Sequence, residues 1–264
     1  MTHKYRSIFI SDVHLGTKDV RNDCLLNFIT TVEAEYIYLV GDIVDFWKMK
    51  KSWHWPEINN EIIQQLLGKI RNGAKVTYIP GNHDERLRDY IDCNFNDVII
   101  REDAIHTTKE NKKLLLIHGD EFDSVVMTNK WLVHLGDWLY DYIVVLNRHY
   151  NYIRRKLGFP YWSLSHYLKM HTWKAVQYIA NFENAVIHEA KRRGVDGVVC
   201  GHIHHPAMKQ IDGVMYANTG DWVENCTAIV ENNSGQLEVL YWLNRQETET
   251  QGLPGVVTTA KEAA

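Results

Sequence analysis

Five short clusters of oxygen- and imidazole-bearing side chains are spread along this chain. They are Asp12-Val13-His14, Gly41-Asp42-Ile43-Val44-Asp45, Gly81-Asn82-His83-Asp84, His118-Gly119-Asp120 and Gly201-His202-Ile203-His204. Carboxylate, carboxamide and imidazole groups without thiolate suit Mn²⁺, Fe or Zn²⁺ better than a soft metal. Asp12, His14, Asp42, Asn82, His118, His202 and His204 make seven such donors. That exceeds what one ion needs and suffices for two ions about 3.5–4 Å apart that share a carboxylate. Such a pair lowers the pKa of a bridging water and neutralises a phosphate, so that hydroxide can attack phosphorus in line. The chain has no GxSxG and no P-loop, so the chemistry expected is direct hydrolysis without a phosphoenzyme. In Asp12-x-His14 and His202-x-His204 the paired side chains, two apart on an extended chain, are expected to point the same way and converge.

The elements that must position these groups are legible too. Each cluster follows a short apolar run: SIFI, YIYLV, KVTYIP, KLLLI and DGVVC. Such runs fit strands buried on both faces, and ligands in open α/β sheets gather outside the carboxyl ends of strands. Residues 57–71 place Ile58, Ile62, Leu66 and Ile70 at helical spacing, with Gly73 as a stop. Residues 181–193 predict another helix, closed by Gly194. The alternation predicts a layered α/β domain. Residues 213–230 and 236–243 are expected to form a closing antiparallel pair around the NNSG turn.

Residues 124–180 differ in kind. They hold 12 of the 30 aromatic residues, and seven lysines or arginines face two aspartates and no glutamate, a net +5 against −9 for the remainder. Leu132, Leu135, Trp138, Leu139, Tyr142, Ile143 and Leu146 fall at helical spacing. This segment is expected to be a helical cap inserted into the α/β body. The expected organisation is therefore core over 1–123, cap over 124–180, core again over 181–245, and a flexible tail over 246–264.

With 264 residues, 45% of them hydrophobic and 23% charged, the chain is an ordinary globular one rather than disordered, collagen-like or coiled-coil. A net charge of −4 argues against a long nucleic acid as partner, which needs a broad cationic track. Cys24, Cys93, Cys200 and Cys226 are scattered without a CxxC, which fits free thiols in a reducing cytosol better than disulfides or a zinc-thiolate site. No secretion signal and no membrane-length apolar run are read in the sequence. The expected location is cytoplasmic.

The series DVH, GDIVD, GNHD, HGD and GHIH, in this order, resembles the calcineurin-like metallophosphoesterase superfamily over about residues 5–243. The resemblance implies a four-layer α-β-β-α sandwich of two mixed sheets. By position it implies that Asp12, His14 and His204 bind one metal, that Asn82, His118 and His202 bind a second, and that Asp42 bridges them. His83 would sit over the substrate phosphate and help to protonate the leaving group, with Asp84 orienting it. Within the superfamily the chain is most similar to the bacterial UDP-2,3-diacylglucosamine hydrolases, which carry a helical cap after HGD and use Mn²⁺. That likeness implies cleavage of a nucleotide-linked lipid to UMP and a lipid phosphate in lipid A synthesis; peripheral contact with the inner membrane is expected from the basic, aromatic cap. The likeness makes Lys174 a candidate substrate-facing cation, while the basic, aromatic composition of the cap makes Arg154 and Arg155 candidate substrate-binding residues beside Asn82 and His83. Those hydrolases have Arg where this chain has His83, and the stretch MKKSWHWP after GDIVDFW is an addition to their pattern. A sister group acting on another nucleotide, pyrophosphate or phosphodiester stays open, as do a cyclic-nucleotide phosphodiesterase and a non-catalytic scaffold. The ligand set accepts Mn, Fe, Zn or Co alike, and the oligomeric state is not encoded in any of these motifs.

Overall fold

The computed structural model describes residues 2–95, 97–123, 150, 151, 154, 156, 173–243 and 245. The chain divides into two compact units, one of Met1–Asp120 with Ile187–Ala264 and the other of Glu121–Val186. Among the described residues the strands of the first unit form two mixed sheets. The larger contains β1 (His3–Ile10), β2 (Val32–Val40), β3 (Lys75–Ile79), β4 (Asn94–Phe95), β5 (Val98–Ile100), β11 (Thr227–Glu231) and β12 (Leu237–Tyr241), in the order β12-β11-β1-β2-β3-β5-β4. The smaller contains β6 (Ala104–Thr107), β7 (Lys113–Leu116), β8 (Gly197–Cys200), β9 (Ala207–Ile211) and β10 (Val214–Asn218), in the order β6-β7-β8-β10-β9. β1, β2, β3 and β5 run parallel, while β11 joins β1 antiparallel with Ser7 opposite Glu231.

Alternation along the central strands builds both sides of the larger sheet. Ile8 and Ile10 of β1, with Ile37 and Leu39 of β2, share one apolar core with Leu25 and Phe28 of α1 (Asn22–Thr31). Phe9, Tyr38 and Val40 point the other way and meet Leu114, Leu116, Val199 and Ala217 of the smaller sheet. A strand buried on both faces must be apolar at successive positions, which is why SIFI and YIYLV read as continuous runs.

All five predicted strands that precede the clusters form, as β1, β2, β3, β7 and β8. The helix over 57–71 forms as α3 (Glu57–Arg71), with Gly73 in the left-handed region at φ +98°. A short helix, α2 (Phe46–Lys51), precedes it. It houses the start of the MKKSWHWP addition, whose Trp55 Nε1 donates to Asn60 Oδ1 at 2.8 Å.

Two expectations are corrected. The helix expected over 181–193 is α4 (Trp173–Arg192), which begins inside the stretch assigned to the cap. Its sequence WKAVQYIANF carries the same period back to Trp173 with no breaker between. The closing pair also splits. β11 and β12 do pair antiparallel in the larger sheet, but the VMYA strand is β10 of the smaller sheet, parallel to β8 and antiparallel to β9. The helical stripe from Leu132 to Leu146 and the tail over 246–264 lie outside the described residues. Among the described residues no helix is long and apolar enough to cross a membrane. All four cysteines are free thiols.

Candidate metal centre

The clusters meet because the loops after β1 and β2 zip together beyond the strand ends. Asp12 N donates to Gly41 O (3.0 Å), His14 N to Asp42 O (2.9 Å) and Leu15 N to Ile43 O (2.9 Å). The smaller sheet is joined through His202 N, which donates to Asp12 Oδ2 at 3.0 Å. The glycines of the motifs make room for this. A Cβ on Gly201 would collide with Ser11 and with the Asp12 carboxylate, and one on Gly81 would collide with the Asp42 carboxylate and come within 2.7 Å of His118 Nε2.

The backbone that aims the ligands is not extended. Asp12, His14, Asp42, His202 and His204 have φ of +51°, +56°, +55°, +70° and +53°. The donor atoms of Asp12 and His14 do come together, but through left-handed residues past the end of the strand, not through strand alternation. A non-glycine residue in that region costs about 1–3 kcal/mol and persists where its surroundings impose it.

Asp12, His14 and His204 bring three donor atoms within 4.8 Å of one another, and so do Asp12, Asp42 and His118. His204 Nε2 lies 3.2 Å from Asp12 Oδ1, His118 Nε2 lies 3.3 Å from Asp42 Oδ2, and the Nε2 atoms of His14 and His204 face each other at 3.4 Å. His118 Nδ1 lies 2.9 Å from Val40 O, the position of a donor, which leaves Nε2 with a lone pair for a cation. His202 sets its ring edge-to-face with His118 at 5.3 Å. Asp12 Oδ1, Asn82 Oδ1 and His118 Nε2 are buried without a hydrogen bond. Buried polar atoms are rarely left so, and these three belong to the expected ligand set. The residues present therefore fit divalent cations.

The electrostatics agree. Burial alone would raise Asp12, but the adjoining His204 outweighs it and brings the carboxyl down to about 2. Burial opposes a charge on His14, yet Asp45, Asp42 and Asp12 bring its imidazole up to about 9. Asp42 is held well below the usual carboxylate range against its burial, chiefly by His118, and His118 well above the usual imidazole range against its burial, chiefly by Asp42. The three carboxylates hold protons on imidazoles where divalent cations would replace them.

His83 sits at the edge of this group with a side chain 22% exposed. Asp84 does not orient it, contrary to expectation. Its carboxylate accepts from Ile43 N (2.8 Å), Gly81 N (2.6 Å) and Tyr78 OH (2.5 Å), so it is spent on pinning the GNHD turn to the GDIVD turn. The carboxylate at His83 is that of Asp45, whose Oδ2 lies 2.9 Å from His83 Nδ1 and 3.2 Å from His14 Nδ1. Asp45 Oδ1 meanwhile caps α2 by accepting from Lys48 N at 2.7 Å. Asp45 stands in the GDIVD motif, but nothing local distinguishes its reach from that of Asp84, the sequence neighbour of His83. A second missed residue is Asp221, which accepts from the backbone N–H groups of Val223, Glu224 and Asn225 and lies 3.9 Å from His204 Nδ1.

Of the candidate substrate-binding residues in the cap, Arg154 is described within its own unit, its guanidinium 5.7 Å from the centre of the Tyr150 ring. Arg155 and the side chain of Lys174 lie outside the described residues.

The calcineurin-like phosphoesterase family model matches residues 5–206. The chain belongs to that family. It is a metal-dependent phosphoester hydrolase. The UDP-2,3-diacylglucosamine hydrolase of Haemophilus influenzae (strain PittGG) is 26% identical over 248 residues, 89% of this phosphoesterase and 98% of that protein. The enzyme of the same name from Aliivibrio fischeri (strain MJ11) is 29% identical over 43% of this chain and 47% of its own length. Among solved structures, one described as a novel archaeal phosphodiesterase is 15% identical, covers 89% of this chain and 98% of its own, and has a TM-score of 0.42.

Proposed function

We propose that this phosphoesterase hydrolyses the pyrophosphate of UDP-2,3-diacylglucosamine, giving UMP and 2,3-diacylglucosamine 1-phosphate (lipid X) in lipid A biosynthesis. The observation that carries the reading is the likeness to the Haemophilus hydrolase, which runs nearly end to end in both chains. Asp12, His14 and His204 would hold one cation, Asn82, His118 and His202 the other, and Asp42 both; Mn²⁺ is the metal proposed. When bound, the two cations supply charge neutralisation at the phosphate oxygens and acidify water near neutral pH. The chain's own groups do the rest. His83, held at Nδ1 by Asp45, turns Nε2 towards the substrate and gives its proton to the departing oxygen. As the P–O bond breaks, that oxygen leaves with the bonding electrons, and water supplies OH to phosphorus and restores the proton. The basic cap residues Arg154, Arg155 and Lys174 are proposed to hold the substrate's anionic and apolar parts, and the cap to rest on the inner leaflet of the membrane.

The test is incubation of the Mn²⁺-loaded protein with UDP-2,3-diacylglucosamine, following UMP and lipid X by chromatography. Metal-dependent release of both in equal amounts supports the reading. No UMP, from protein that does hydrolyse aryl phosphodiesters, overturns it in favour of a sister group with another nucleotide, pyrophosphate or phosphodiester substrate. The histidine at 83 favours that second reading, since it follows the general GNHD pattern.

A further inference from the structure

The turn that carries Asp42 and Asp45 delivers one more side chain to His83. Trp47, in the first turn of α2, lies with its ring centre 4.6 Å from that of His83 and its plane tilted by 36°. Its indole Nε1 donates to Glu85 Oε1 at 3.3 Å, two residues beyond His83. The backbone of His83 is fixed on the same side of the site. His83 N donates to Asp42 Oδ1 at 2.8 Å, and Phe46 N donates to His83 O at 3.1 Å. His14 meets the same imidazole edge-on at 4.6 Å and 87°.

Asp45 touches the ring of His83 at one atom, and a tether at one nitrogen leaves an imidazole free to tilt about that point. A flat partner against the ring removes that freedom. Trp47 supplies it, and core packing does not account for its place. It is 43% exposed and belongs to neither of the two apolar cores described above. Its polar atom is committed to the 3-10 helix Glu85–Tyr90 that follows the GNHD turn.

We propose that Trp47 is a positioning residue for His83: its indole plane sets the tilt of the imidazole, and Asp45 sets its reach, so that Nε2 stays aimed at the leaving oxygen. This rests on the role proposed for His83 above. The side chain acts through its flat face, so phenylalanine should serve in its place and alanine should not. A misplacement of about 1 Å at a reacting group can cost about 100-fold in rate, which sets the scale of the effect.

The experiment uses the full Mn²⁺-loaded chain, with Trp47→Ala, Trp47→Phe, His83→Ala and the Trp47→Ala/His83→Ala double variant. The substrates are UDP-2,3-diacylglucosamine and aryl phosphodiesters of rising leaving-group pKa. Trp47→Ala is expected to lower kcat about 10- to 100-fold on the poorest leaving group and progressively less on better ones, with KM little changed. Trp47→Phe is expected to restore most of the rate, and Trp47→Ala to cost nothing further once His83 is alanine. A readout independent of turnover is the long-range ¹⁵N–¹H spectrum of the His83 imidazole in the same chains loaded with diamagnetic Zn²⁺, expected to be a single sharp pattern in the wild type and Trp47→Phe and broadened in Trp47→Ala. An unchanged imidazole spectrum in Trp47→Ala, or an equal loss with and without His83, overturns the role of Trp47. An equal loss across all leaving groups in His83→Ala overturns the proton-donor reading of His83 instead, and the spectrum still decides whether Trp47 orients the ring.

Discussion

Five of the seven expected ligands are left-handed residues without the glycine that would make this easy. The types and order of the residues gathered at the strand ends were legible from the sequence, because Asp, Asn and His after an apolar run leave a plain signature. Their backbone shape was not, since nothing in Asp-x-His or His-x-His announces a positive φ. Nor did the pairing of Asp45 rather than Asp84 with His83 show in the sequence, because it depends on where the GDIVD turn lies in space. The strained backbone has a measurable sign. His204→Gly and His204→Ala both remove the imidazole, but only alanine keeps the cost of φ +53°. In the metal-free protein the glycine variant is expected to be more stable by about 1 kcal/mol, read from urea unfolding. Equal stability of the two variants would show that the local backbone relaxes and stores no strain.

At the scale of elements, strands announced by continuous apolar runs were legible, and those without such runs were not. β9, with the sequence AMKQI and no fully buried residue, has no such signature. VMYA reads as a strand, but the sheet it joins is set by partners far away in the chain. Away from the metal centre, the edge strand β6 carries a second charged cluster. His106, 2% exposed, contacts Glu231 at 2.9 Å and Tyr38 at 3.0 Å, and Arg6 pairs with Glu231 at 2.7 Å. Burial lowers the His106 pKa despite Glu231 beside it. Glu231 is lowered against its burial, by Lys109 N first and then by His106, Ser7 and Arg6. A histidine lowered in the folded state binds fewer protons there than in the unfolded chain. Its stability is therefore fully present above the unfolded value near 6.5 and is lost as pH falls below it. Glu231 adds a loss in the same direction below about 4.5. His106→Gln is expected to flatten the stability curve between about pH 6.5 and 5 and to leave the drop at lower pH. Urea titrations at half-unit pH steps would show this, and an unchanged slope between pH 6.5 and 5 would assign the acid loss elsewhere.

Across the whole molecule, the centre draws on both sheets. Asp12, His14, Asp42 and Asn82 follow strands of the larger sheet, and His118, His202 and His204 follow strands of the smaller. A cation held by both sheets binds the native state and not the unfolded one. Added Mn²⁺ is expected to raise stability by about 2.7 kcal/mol at 100 times its Kd, and a chelator to reverse this. Scanning calorimetry checks it, and a Tm indifferent to metal would mean that the sheets meet without needing the ions. The pairing of β1 has a consequence for the chain as it is made. β1 takes β11 as its antiparallel neighbour, Ser7 against Glu231, so a nascent chain halted before Thr227 leaves one edge of its first strand bare. Until β11 has been made the protein thus exposes a sticky, half-finished sheet, and its release in folded form depends on how quickly synthesis passes Glu231 or on a chaperone that shields that edge until then.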